Sequence, residues 1–435
     1  MTRPISRRNL LIGAGAAAGT AATGAYAWSA LVRRSVETAL PGTTSTTTTT
    51  TTTTAAPTTT LPPTGEGLLV VVELDGGNDG LNTLVPALGA YRDARPTLAI
   101  PEADLVTLAG TDEFALHPAL SPLVAHWESG HLAFVEGIAM PEQTRSHFTA
   151  MDTWWSATPG VASTTGWLGR WLDATLDGEP DPLRAVAVGG GSRALVGERS
   201  LATVIRNPEA FQLRTAGGVD ADALVEAFLA TAEPLAAVPE LAAAQTAVPA
   251  TVEAIELLAP VFGEAGGDTR DRARAGGGNG FTDLLPAAAG VLGLGVGTRV
   301  VTVARGGFDT HADQLDRQAD LLTDLAAGIE AFWASATDAG VADRVLMVVT
   351  SEFGRRVHEN ASGGTDHGQG GLSLALGPAV AGSRIAGELD LDHLDNGDVP
   401  RTVDTRSLYG EALRWLGGPV DEVLGGEFEP LGLLA

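Results

Sequence analysis

The chain has 435 residues, 53 of them acidic against 27 basic, for a formal charge of −26. Every basic residue is an arginine, and cysteine is absent. The acidic balance excludes nucleic acid as partner, because a phosphate backbone needs clustered positive charge, and the missing thiols exclude disulfides, thiolate metal sites and a cysteine nucleophile.

In chain order, Ser6-Arg7-Arg8-Asn9-Leu10-Leu11-Ile12 resembles a twin-arginine export motif, and an uncharged, Ala- and Gly-rich stretch from Leu10 to Val32 follows it. Ala25-Tyr26-Ala27 offers a small-x-small cleavage site that sets the mature start at Trp28. The competing reading of residues 1–34 is an uncleaved anchor, the chain's one contact with a membrane, flanked by Arg33-Arg34. Residues 35–65 carry a Thr/Pro-rich tract with no apolar periodicity, which reads as a disordered linker. The expected location is the cell surface or the medium, reached through the twin-arginine translocase. That route moves folded proteins, which fits a chain without disulfides.

Residues 66–435 read as a single α/β domain. Leu68 to Leu74 is a nearly continuous apolar run rich in Val that ends in Asp75-Gly76-Gly77-Asn78-Asp79-Gly80, the pattern of a buried parallel strand entering a glycine-rich loop. Three segments repeat this pattern: His131 to Ile138 before Gln143-Thr144-Arg145-Ser146-His147, Arg299 to Ala304 before Gly306-Gly307-Phe308-Asp309-Thr310-His311, and Arg344 to Thr350 before Ser351-Glu352-Phe353-Gly354. Helical periodicity fills Pro118 to Ser129 and Gln314 to Thr337. Strands alternating with helices predict a mostly parallel sheet sandwiched by helices, with ligands gathered beyond the carboxyl ends of the strands. Residues from about 180 to 297, Ala-rich and broken by glycine clusters, read as a helical, Gly-rich insertion.

The strand-end clusters contain Asp79, Ser146, His147, Asp309, His311 and Glu352, with Asp366 and His367 in Gly363-Gly364-Thr365-Asp366-His367-Gly368. Imidazoles mixed with carboxylates suit Zn²⁺ or Mn²⁺, and carboxylates alone also accept Mg²⁺ or Ca²⁺; one or two such ions are expected. Asp309 and His311, two residues apart on an extended segment, face the same side. Asp366 and His367 could ligate two ions, or one ion and its surroundings. Ser146 opens a helix, where it is either an N-cap or a nucleophile activated by a metal, with His147 beside it as a catalytic partner. Arg145 and Arg355 are candidate anion clamps. Asp75 and Asp313 rank second as ligands. His117 reads as a turn residue before a helix, and Trp154, Trp155, Trp167 and Trp171 read as core or as a binding platform.

Gly76-Gly77-Asn78-Asp79-Gly80-Leu81-Asn82, Arg145-Ser146-His147-Phe148, Gly307-Phe308-Asp309-Thr310-His311, Glu352-Phe353-Gly354-Arg355 and Gly364-Thr365-Asp366-His367-Gly368 resemble, in that order, motifs of the exported bacterial family called domain of unknown function 1501. The resemblance covers about residues 66 to 420. That family is similar in turn to the alkaline phosphatase and sulfatase superfamily, which implies an alkaline-phosphatase-like fold and a metal-dependent hydrolase of small or polymeric anionic esters of phosphate or sulfate. The same resemblance implies that Ser146 is the nucleophile, that Asp79 and Glu352 bind the ion beside it, and that Asp309, His311 and His367 bind the other, with Asp366 serving either. The superfamily usually carries Asp-His where this chain has Glu352-Phe353, so one imidazole ligand is missing unless His147 replaces it. The alternative is a non-catalytic surface protein that binds a ligand through a degenerate site.

Overall fold

The computed structural model describes residues 66–206, 220–233, 238–262 and 280–434. The leader and linker of the sequence reading lie outside these residues. The described strands are β1 (Leu68–Asp75), β2 (Leu84–Pro86), β3 (Val106–Thr107), β4 (Phe114–Leu116), β5 (Leu132–Ala139), β6 (Ala185–Val188), β7 (Thr203–Ile205), β8 (Val300–Gly306), β9 (Val345–Thr350), β10 (Gly371–Leu376), β11 (Arg384–Ala386) and β12 (Val403–Asp404). The longer helices are α1 (His147–Ser156), α2 (Trp167–Ala174), α3 (Ala221–Leu229), α4 (Pro239–Phe262), α5 (Phe281–Gly293), α6 (Gln314–Asp338) and α7 (Thr405–Leu416).

Nine strands form one sheet in the order β11-β5-β10-β9-β1-β8-β6-β7, with β12 also on β5. β1 lies in parallel between β8 and β9, and buried side chains on both faces explain its unbroken Leu-Leu-Val-Val-Val run. Only β10 runs against its neighbours β5 and β9. On one face α7 packs on β1 and β9, sharing a core of Leu69, Val71, Trp154, Trp167, Trp171, Tyr409 and Leu413. Elsewhere on the sheet α5 packs on β8 and β6 and against α6, where Gly328 of α6 lets the helices meet at Phe281. The apolar positions of α6 at Leu321, Leu322, Leu325, Ile329 and Phe332 follow helical spacing. Each such Leu, Ile or Phe contributes about 1.5–3 kcal/mol when fully buried. β2, β4 and β3 form a small separate sheet. The architecture is the expected α/β one, a mostly parallel sheet flanked by helices.

The insertion is narrower than about 180–297. β6 and β7 are strands of the main sheet and α5 packs on it, while α3 and α4 fall in a separate compact unit. Ala185-Val186-Ala187-Val188 is fully buried in four residues, too short a run to show strand periodicity beside its glycine-rich neighbours. In the smaller unit, Asp220 caps α3 and Gln245 of α4 donates to the Thr231 carbonyl at 2.8 Å. No described helix is long and apolar enough to cross a membrane.

Candidate metal centre

Parallel strands bring their carboxyl ends to one edge of the sheet, and the reversed strand brings its amino end to the same edge. β1 therefore leads to Gly76 and Gly77, β8 to Asp309 and His311, and β9 to Glu352, while Asp366 and His367 lie just before β10. β5 leads through Arg145 and Ser146 into α1. Gly76, at φ 123°, has no room for a side chain, since a Cβ would lie 2.3 Å from the Asp309 backbone nitrogen. Gly364 meets the His311 backbone equally closely, so the ligand-bearing loops touch main chain to main chain.

Three imidazoles surround Asp309. Its Oδ1 lies 2.9 Å from His367 Nε2 and 3.1 Å from His311 Nε2, and those two nitrogens are 2.9 Å apart. Its Oδ2 is 3.5 Å from His147 Nε2. The other nitrogen of each ring faces an oxygen. His147 Nδ1 is 2.8 Å from Glu352 Oε1, His311 Nδ1 is 3.1 Å from Asp366 Oδ1, and His367 Nδ1 is 2.8 Å from the Arg145 carbonyl. A carboxylate or carbonyl oxygen only accepts, so each Nδ1 is the donor in its contact, and a metal ion seated beside Asp309 would meet the Nε2 atom of each ring. This is the arrangement of metal-ligating histidines, with the outer nitrogen fixed by an oxygen. Donor atoms about 2.0–2.1 Å from a tetrahedral ion stand about 3.3 Å apart, which matches the spacing here. Among the described residues, His147, Asp309 and His367 place ligand atoms within 4.8 Å of one another. The set fits a divalent transition-metal ion.

Burial alone would raise the Asp309 carboxyl, but the bonds from His367 and Arg355 outweigh it and hold the group well below the ordinary carboxylate range. Asp366 is lowered chiefly by a bond from Asn360, whose Nδ2 lies 3.2 Å from Oδ1. Asp366 therefore braces His311. Asp75, at the end of β1, is raised to about 6 by burial and by the nearby Glu352, with His147 opposing.

Several expected roles change. Asp79 does not reach the cluster; it is 1% exposed and holds Arg95, at 2.6 and 3.0 Å, and the Gln314 side-chain amide. A buried guanidinium requires such a partner, and nothing local in the sequence ties Arg95 to Asp79. Glu352 is not an open ligand either. Its oxygens accept the Gly76 N–H at 3.0 Å, the Gly77 N–H at 3.2 Å, the Ser351 hydroxyl at 3.1 Å and the His147 ring. His147 thus stands between Glu352 at Nδ1 and Asp309 at Nε2.

Neither arginine is free to clamp an anion. Arg355 is buried and donates to the carbonyls of Gly76, Gly77, Phe308 and Thr365, and to Asp309 Oδ1 at 2.8 Å. Arg145 is committed to the buried Asp398, with Nε 3.1 Å from Oδ2. Ser146 is exposed at the N-cap position of α1, and its hydroxyl makes no capping bond. Asp313, in left-handed backbone at φ 49°, precedes α6 and joins no cluster described here. His117 Nδ1 accepts from the Ala119 N–H, as a turn residue would. Trp154, Trp167 and Trp171 are core, with Trp155 packed against them, which removes the binding platform. Sequence reasoning missed Arg95, Gln314, Asn360 and Asp398, which act by bracing other groups. A depression of about 770 Å³ along β11 and β12, lined by Arg384, Arg401, Ser407 and Phe428 among others, contains none of the metal-ligand groups.

The family model described as a protein of unknown function, DUF1501, matches residues 67–427. No curated protein matches the sequence. Among solved structures, the chain is similar to the lipoteichoic acid synthase LtaP of Listeria monocytogenes, at 10% identity and a TM-score of 0.39 over 86% of this chain and 78% of that one. It is also similar to the PsFucS1 sulfatase of a Pseudoalteromonas species, at 13% identity and 0.37 over 85% and 72%. The alkaline phosphatase of the Antarctic bacterium TAB5 matches at 10% identity and 0.30 over 74% and 95%.

Proposed function

This chain belongs to the DUF1501 family, and from that premise we propose that it is a hydrolase of phosphate or sulfate esters working with one divalent transition-metal ion held by His147, Asp309, His311 and His367. The observation that carries the reading is that three imidazoles, each fixed at Nδ1, turn Nε2 onto one carboxylate. A single ion is preferred because Asp79 and Glu352, the ligands expected of a second, are saturated by protein partners. When bound, the ion supplies Lewis acidity to an ester oxygen and to a nearby hydroxyl. Ser146, one residue from His147 at the start of a ten-residue helix, is the nucleophile of this reading. The unpaired N–H groups of the first turn favour the anionic substrate. The Ser146 oxygen attacks phosphorus or sulfur, the ester bond breaks, the alcohol leaves with a proton, and water then releases the acid from Ser146.

The test is metal analysis of purified protein, then turnover of p-nitrophenyl phosphate and sulfate with Zn²⁺ or Mn²⁺ supplied. Stoichiometric metal with turnover that Ser146→Ala abolishes is the expected result; no metal and no turnover sinks the reading. One observation favours a second reading, a ligand-holding surface protein without turnover: both arginines placed to receive an anion are already engaged. Metal bound without turnover, unchanged by Ser146→Ala, selects that reading.

We also infer export through the twin-arginine translocase, supported by the Arg7-Arg8 motif and the absence of cysteine. Arg7→Lys with Arg8→Lys is expected to leave the protein inside the cell on fractionation.

A further inference from the structure

The three rings differ in what holds them. His147 and His311 each lean on a carboxylate, whereas His367 leans on a neutral main-chain carbonyl, that of Arg145, in a segment whose residues Thr144, Arg145 and Ser146 are exposed. An exposed carbonyl fixes a ring only if something fixes the carbonyl. The Arg145 side chain reaches Asp398, whose carboxylate is fully buried; Oδ2 takes both the Nε and Nη2 of Arg145, and Oδ1 lies 3.5 Å from Arg356 Nε. Gln143 supplies a second tie, donating to the Glu352 carbonyl at 3.1 Å.

The segment bearing Asp398 also grips the loop that carries His367. Gln369 donates to Asp395 Oδ2 at 3.0 Å, and the Gly370 N–H donates to the Val399 carbonyl at 3.0 Å. Residues 395–399 thus locate both the imidazole and its acceptor. The Asp309 carboxylate, 2.9 Å from His367 Nε2, competes for the ring proton, and a carbonyl brings no charge to hold it at Nδ1, so geometry must do so.

We propose that Arg145 and Asp398 are positioning residues that hold the Arg145 carbonyl against His367 Nδ1 and so keep His367 in the tautomer that offers Nε2 to a metal ion. This rests on the reading of His367 as a ligand. Losing the tie frees the carbonyl, lets the ring exchange tautomers and weakens metal retention without touching any ligand.

The experiment uses the full chain and Zn²⁺ alone. Chelator-competition titrations compare wild type, Arg145→Met and Arg356→Met, the last touching the same carboxylate but not the carbonyl, while ring ¹⁵N shifts of His367 are read in metal-free protein. Arg145→Met is expected to lose about 10- to 100-fold in Zn²⁺ affinity and to show mixed His367 tautomers, with Arg356→Met within about threefold of wild type. Equal affinity and an unchanged Nδ1–H pattern in Arg145→Met overturn the inference. Should Arg145→Met not fold, Asp398→Asn, which keeps the shape of the site, carries the same comparison, with a loss of about threefold or more expected. If wild type takes up no Zn²⁺, the one-ion reading fails, and the ring spectra still decide whether Arg145 sets the tautomer.

Discussion

Asp79 and Asp309 make an instructive pair. Both follow neighbouring parallel strands, β1 and β8, and both are carboxylates ringed by nitrogen groups. Around Asp79 the partners are a guanidinium and an amide, permanent donors that satisfy it and leave nothing for a ligand. Around Asp309 they include three imidazoles, which donate or accept according to where their proton sits, and the side chain is 47% exposed. A strand-end carboxylate is a candidate ligand where its neighbours have lone pairs to share. It is scaffolding where they have only protons to give.

Four measurements would break or sharpen that contrast. Asp309→Ala removes the one carboxylate shared by the three rings, and stoichiometric metal is expected to vanish on metal analysis while the fold persists by circular dichroism. Asp79→Ala should do the reverse. It strands a buried Arg95 and is expected to cost about 3–5 kcal/mol in denaturant unfolding, with metal stoichiometry kept. Metal loss there at unchanged stability would erase the distinction.

Glu352→Gln weakens the hold on His147 without removing a ligand, and is expected to lower Zn²⁺ affinity about 10- to 100-fold in chelator competition. The smallest effect concerns a carboxyl with no side-chain donor of either kind, opposed in its burial only by the Gly137 main chain. Glu136 Oε1 is buried in β5 without a hydrogen-bond partner among the described residues, and burial raises the group from 4.5 to about 8. Between those pH values the folded state keeps a proton that the unfolded state releases, so stability falls as pH rises through this window. Glu136→Gln should flatten the fall, gaining on the order of 1 kcal/mol over wild type at pH 8 in urea titrations, with metal binding unaffected.

The sheet was legible because β1, β5, β8 and β9 are apolar runs that end in glycine or polar clusters, a pattern set by neighbours along the chain. Asp309 and His311 were legible for a related reason, their two-residue spacing after a strand. His367 and His147 could be named from the ordered motifs. The saturation of Asp79 and Glu352 could not be read, because Arg95 and the Gly76 and Gly77 N–H groups reach them only after the loops fold together. Asp398 was hidden in an acid-rich segment, Asp390 to Asp398, where nothing local separates a buried anchor from a solvated charge. The insertion was drawn too wide because two short strands sat between glycine clusters, a composition that masks a four-residue strand.

Arg355 belongs to the loop after β9, yet it binds carbonyls of the loops after β1 and β8 and of the segment before β10. Asp309 is therefore in place only when all of these segments have docked, which sets an order in time. A partly assembled chain lacks the gathering of imidazoles on Asp309, so under the one-ion proposal ion capture would come late and report that the sheet is complete.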